Sequence, residues 1–202
     1  GCWVSGELDW ASDLYRRAAN AMLVDAQQDG RRQGIYAPIA MHVLGAAWMS
    51  NDRELLDQVG NTIDESCKTL IQNVDLTPEP LFNATLYLTR IRVAWFLGRG
   101  DVLQKSMPDL DRAVRTLDRW GQWYWEGERD IHTHTVIKAL LERKPDVVKA
   151  GLAKYDEYLA EQRGVSPTIS ELVDEEFISL ASTAQDLGVL LPKFETGLLP
   201  VR

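Results

Sequence analysis

The residues best suited to chemistry lie between Trp120 and His134. Trp120, Trp123, Tyr124 and Trp125 are followed there by Glu126, Glu128, Asp130 and two of the chain's three histidines, His132 and His134. On a helix, Glu128–His132 and Asp130–His134 are both i, i+4 pairs, close enough for a carboxylate to orient an imidazole as a metal ligand or a base. The two pairs start two residues apart, however, and so point to roughly opposite sides of a helix. Neither can complete the other's metal shell. The chain also has no His-Glu-x-x-His and no paired Glu-x-x-His, the spacings that converge ligands on one metal. No metal site is expected. The aromatic run reads instead as core, or as a protein interface with Trp123 and Trp125 as buried anchors and Glu126, Glu128 and Asp130 beside them, since Trp and Tyr dominate such anchors.

Other catalytic arrangements are equally thin. No Gly-x-Ser-x-Gly supports a serine nucleophile. Gly98-Arg99-Gly100 is a helix break rather than a phosphate cradle, and His42 lies in an apolar helix where a core histidine is expected. Cys2 and Cys67 are the only cysteines; they read as reduced, structural thiols of a cytoplasmic protein. The expectation is a protein that is not an enzyme and needs no cofactor. The chain begins Gly1-Cys2-Trp3 without an initiator Met, which leaves a leader or a longer parent chain open.

Charge says more. The 202 residues carry 30 acidic and 22 basic side chains, a net charge of −8. Nucleic acid is disfavoured, because affinity for phosphates comes from Lys and Arg displacing counterions. Anionic membrane surfaces are disfavoured on the same ground, and no apolar run reaches the roughly 18–20 residues a span needs. A basic protein partner is favoured, because the summed field steers encounter. The acids also cluster. Asp57, Asp64 and Glu65 stand in one group; Asp174, Glu175 and Glu176 stand in another, where a helix dipole explains them equally well.

These groups have to be positioned by helices, for nearly the whole chain reads at the 3.6-residue period. The pattern predicts helices from Leu8 to about Ala26, Ile35 to Met49, Arg53 to Asn73, and from Thr77-Pro78-Glu79 to Phe96. Four more are predicted from about Val102 to Trp120, Trp123 to Arg143, Asp146 to Arg163 and Thr168 to Leu187. Pro108 should start or kink the fifth. Strand evidence is confined to a weak alternation at His132–Ile137. The fold class is all-α, about eight helices as stacked antiparallel hairpins, solenoid-like or bundled, in a single domain over 1–202 with an irregular tail at 189–202.

An internal echo supports stacking. Ala47-Trp48-Met49-Ser50-Asn51-Asp52, Ala94 to Asp101 and Ala139 to Asp146 each join an apolar helix end to a polar hinge and an Asp that can cap the next helix. The Asp spacings, 49 and 45 residues, are the length of a helical hairpin with its connection.

The second half resembles the helical immunity proteins of bacterial polymorphic toxin systems. The resemblance rests on the hinge Leu141-Glu142-Arg143-Lys144-Pro145-Asp146, the helix Val147 to Gln162, the Ala/Leu-rich ending Phe177 to Gly188, and the closing Leu198-Leu199-Pro200. Pro145 in the hinge and the Trp-rich segment depart from the family pattern. The resemblance implies a cytoplasmic binder with no catalytic residues that blocks a cognate toxin. Because a nuclease site is basic, an acidic surface can compete for it. The sequence therefore predicts an immunity protein acting through Asp57, Asp64, Glu65, Trp123, Trp125, Glu126, Glu128, Asp130, Asp174, Glu175 and Glu176. The alternatives are a helical-repeat scaffold that binds a peptide or protein and, more remotely, a small metal-dependent enzyme.

Overall fold

The computed structural model describes residues 8–28, 37–73, 80–120, 125–165 and 174–194. They form eight helices and no strand: α1 (Leu8–Gln28), α2 (Ala37–Met49), α3 (Arg53–Asn73), α4 (Pro80–Phe96), α5 (Gly100–Trp120), α6 (Trp125–Leu141), α7 (Pro145–Val165) and α8 (Glu175–Asp186). None is long and apolar enough to cross a membrane. The all-α class is as the periodicity predicts, and α3 has the predicted bounds. Two expectations are corrected. Of the two roles expected of Pro108, a start or a kink, the start is excluded, because α5 runs through it. The last helix does not run unbroken from Thr168, because Asp174 is extended at φ −93°, ψ 101° and the helix begins after it; residues 166–173 lie outside the described residues.

The odd-numbered helices α1, α3, α5 and α7 are all 21 residues long. The even-numbered helices all end in one way. Asn51, Gly98, Arg143 and Gly188 adopt positive φ of 55°, 67°, 53° and 80°, and each stands four residues after an alanine: Ala47, Ala94, Ala139 and Ala184. At three ends the N–H of the residue after the left-handed one donates to that alanine's carbonyl: Arg99 to Ala94 at 2.8 Å, Lys144 to Ala139 at 2.9 Å and Val189 to Ala184 at 2.9 Å. The left-handed residue donates to the carbonyl one position further on, as Gly98 does to Trp95. This is the Schellman termination, which satisfies carbonyls the helix leaves orphaned. At Asn51 a hydroxyl stands in: the Asp52 N–H donates to Ser50 Oγ at 3.2 Å, and Ser50 Oγ donates to the Ala47 carbonyl at 2.6 Å.

The chain is therefore a four-fold repeat with a period of 45–47 residues, each copy an odd-numbered helix followed by an even-numbered one. The register differs from the one the Asp residues suggest. Seven residues after each of the first three alanines come Glu54, Asp101 and Asp146, all in the first turn of the next helix, where they complement its dipole. Asp52 precedes the helix and is a true N-cap, its Oδ1 accepting from the Leu55 N–H at 3.0 Å. In the second and third hinges that place is held by Arg99 and Lys144, whose carbonyls accept the first helical bonds from Leu103 and Val148.

Equivalent positions fill the core. Ala11, Leu56, Leu103 and Val148 are buried across the four copies, as are Leu44, Ile91, Val136 and Ala181, and the four alanines themselves. The chain divides into two compact units, residues 1–116 and 117–202. In the first, α1 packs on α2, α3 on α4, and α2 also touches α3 and α4. One continuous core joins Leu44, Val59, Ile63, Val93 and Phe96, with Trp48 meeting Phe96 edge-on at 6.0 Å. Gly60 allows the close approach: a Cβ there would stand 2.8 Å from Leu97 Cδ1. Two side chains tie down the hinges. Ser12 donates to the Ser50 carbonyl, and Arg53 donates to the Leu97 carbonyl at 2.9 Å. In the second unit α6 packs on α7, and α8 on both.

Candidate functional site

The densest charge cluster lies inside the second unit. Asp174 caps α8, its Oδ1 accepting from the Phe177 N–H at 2.7 Å, and its Oδ2 pairs with Arg129 Nη2 of α6 at 2.9 Å. Arg129 Nε donates to Tyr155 Oη of α7 at 3.1 Å and stands 3.6 Å from Glu176 Oε2 of α8. Thr133, one turn along α6, donates to the same Glu176 oxygen at 2.9 Å, and Tyr155 Oη lies 3.4 Å from each carboxylate.

Aromatic rings wall the cluster. His132 stacks on Tyr155 at 5.8 Å, and Phe177 meets Tyr155 edge-on at 5.4 Å and Phe194 at 5.0 Å. Burial alone would lower the pKa of Arg129, but Asp174, Tyr155 and Glu176 together hold it well above the ordinary value, so the guanidinium stays charged. Burial drives the Tyr155 hydroxyl well above its ordinary range and keeps it neutral. Each member is satisfied by the others; no buried side-chain nitrogen or oxygen among the described residues lacks a partner. The network pairs its charged groups and hydroxyls with one another. It fixes three helices against one another.

This location changes the reading of several predicted contact residues. Asp130, Asp174 and Glu176 are 7%, 4% and 2% exposed, because folding turns them inward, and so they are not presented to a partner. Glu175 is half-buried. Burial pushes its pKa up to about 7 despite a favourable backbone hydrogen bond, with Asp174 and Glu176 adding to the rise. Trp123 lies outside the described residues, as do the side chains of Trp125, Glu126 and Glu128. No cluster of three or more His, Cys, Asp and Glu able to hold a metal occurs among the described residues.

The acids of α3 are divided. Asp57 faces solvent, paired with Arg53 at 3.2 Å. Glu65 is 72% exposed and reaches Lys68 at 2.8 Å. Asp64 turns instead into a cavity of about 260 Å³ that Lys68 and Arg90 also line. Its Oδ2 meets Lys68 Nζ at 2.8 Å and its Oδ1 meets Arg90 Nε at 2.9 Å. Burial raises the Asp64 pKa, and these two hydrogen bonds outweigh it, leaving the carboxyl below its ordinary value. Asp64 thus lines the cavity while Asp57 and Glu65 lie nearer the surface with Glu54, and Lys68 bridges Asp64 and Glu65.

Sequence reasoning misses Arg129, Thr133 and Tyr155, and likewise the cavity residues Lys68, Tyr87 and Arg90. The usable signal is the repeat: each stands at a position that another copy fills with an apolar residue, such as Ala84 for Arg129 and Leu88 for Thr133.

Compared with known protein families, characterised proteins and solved structures, the chain matches none.

Proposed function

We propose that the chain is a non-catalytic binding protein that neutralises a basic, nuclease-like protein toxin in the manner of an immunity protein. The observation that carries this reading is a net charge of −8 on a helical repeat whose best-formed polar cluster is buried and saturated. Stacked helices offer extended surfaces suited to covering another protein, and an acidic field speeds encounter with a basic one. The exposed acids Glu54, Asp57 and Glu65 of α3 are the proposed rim of the contact. The test is capture of a basic partner from the source cell at low salt, then reconstitution from purified components. Stoichiometric inhibition of the partner's activity, weakened by salt and by charge reversal on α3, supports the reading; a captured partner that is bound without inhibition refutes it.

A second reading, a scaffold for a helix or peptide, is favoured by one feature. Trp10, Leu14 and Val24 are 61%, 46% and 47% exposed and share a face of α1 by their spacing. Binding that survives high salt and fails on Trp10→Ala would favour it.

A further inference from the structure

The first unit contains a layer of charge where its first repeat copy is apolar. Asp64 and Lys68 on α3 occupy the positions of Ala19 and Leu23 on α1, and Tyr87 and Arg90 on α4 those of Ala40 and Val43 on α2. In the first copy these four residues are core, at 0%, 3%, 1% and 0% exposure. In the second copy they line the cavity of about 260 Å³, whose floor includes Ile91 and Ala94 and whose far wall comes from Val102 and Ser106 of α5. The first copy shows that an apolar set can fill these positions, while the third and fourth copies carry Asp111 and Asp156 at the place of Asp64.

The guanidinium groups of the lining give the ligand's chemistry. Arg90 engages Asp64 through Nε at 2.9 Å and lines the cavity. Arg99, also in the lining, donates from Nη2 to Asn61 Oδ1 at 2.7 Å. Lys68, Arg90 and Arg99 line the cavity with two carboxylates, Asp64 and Asp109, and Lys68 also meets Glu65 at 2.8 Å, so recognition of an anion falls to the two guanidinium groups rather than to net charge. A guanidinium fork matches the geometry of carboxylate and phosphate oxygens. The volume lies just below the roughly 300–1,000 Å³ typical of drug-sized sites.

We propose that this cavity binds a small oxyanion, a carboxylate or a phosphate, with Arg90 and Arg99 as principal donors, Lys68 as a supporting charge and Asp64 as the group that orients Arg90. The inference is independent of the toxin reading.

Inorganic phosphate and citrate, each titrated into the full chain at constant ionic strength by calorimetry, test it. The expected result is saturable, one-to-one binding of at least one of them. Arg90→Met and Arg99→Met should each weaken it by roughly tenfold or more, the loss of a charge-assisted contact, and Lys149→Met, on α7, should not. Tighter citrate binding assigns a carboxylate ligand and tighter phosphate binding a phosphate; either supports the proposal. The triple change Asp64→Ala, Lys68→Leu, Arg90→Val restores the first copy's pattern and should give a folded protein that binds neither. Failure of both anions to saturate, or saturation unaltered in both single-arginine variants, overturns it.

Discussion

Arg129 and Asp174 stand at the same position of consecutive repeat copies, 45 residues apart, and their side chains meet at 2.9 Å. In the first two copies that position holds Ala37 and Ala84. The second unit has thus replaced a small apolar pair with a buried ion pair, and with it the requirement that Tyr155, Thr133 and Glu176 complete the shell. Removing one partner of such a pair strands a charge out of water and costs roughly 3–5 kcal/mol. Arg129→Met is therefore expected to lower the stability of the second unit by about that amount in urea unfolding. Adding Asp174→Asn, Glu176→Leu and Thr133→Val should recover much of the loss, because no buried carboxylate is then left without its cation.

Glu175 gives the protein a pH dependence of definite sign. Its folded-state pKa of about 7 lies above the ordinary carboxylate value, so between about 4.5 and 7 the folded state holds more protons than the unfolded one. Stability from this group is present at low pH and is lost as pH rises through about 7. Glu175→Gln should raise the melting temperature at pH 8, by the equivalent of about 1–3 kcal/mol after allowing for partial exposure, and leave it nearly unchanged at pH 4.

The hinges should respond to backbone chemistry alone. Gly98 has φ of 67° and open space where a Cβ would stand, so Gly98→Ala is expected to cost about 1 kcal/mol with no steric contribution. Arg143 carries the same conformation at φ 53° without glycine's freedom. Arg143→Gly should therefore stabilise the third hinge by up to about 1 kcal/mol. Thermal denaturation of the two variants side by side measures both.

Cys67 is buried and free. Burial, with the Asp64 charge adding to it, pushes its pKa up to about 11, so almost no thiolate forms near neutrality. Modification of Cys67 by a thiol reagent at pH 8 should be slow in the native protein and fast in denaturant, with the modified residue identified by mass spectrometry.

Helical periodicity made the fold legible, because apolar residues at i, i+3 and i+4 mark a buried face wherever it packs. The repeat was only half visible. Its left-handed position is filled by Asn51, Gly98, Arg143 and Gly188, so glycine marks two of four copies, and the Asp at the first hinge precedes the helix whereas those at the next two lie inside it. The buried network was not legible. Asp174 and Glu176 read as a solvated acidic helix start until Arg129, from another helix, is seen to meet both. Charge in sequence gives no direction, and these acids point inward.

The central claim is that an acidic helical repeat captures and silences a basic protein. The most direct measurement is the association rate of the purified protein with its captured basic partner as ionic strength is raised, alongside the Glu54→Lys, Asp57→Lys, Glu65→Lys triple variant. The account predicts fast association that falls steeply with salt, a large drop in the variant at low salt, and loss of the partner's activity in a one-to-one complex. An association rate indifferent to both salt and the variant, or a complex in which the partner stays fully active, would contradict it.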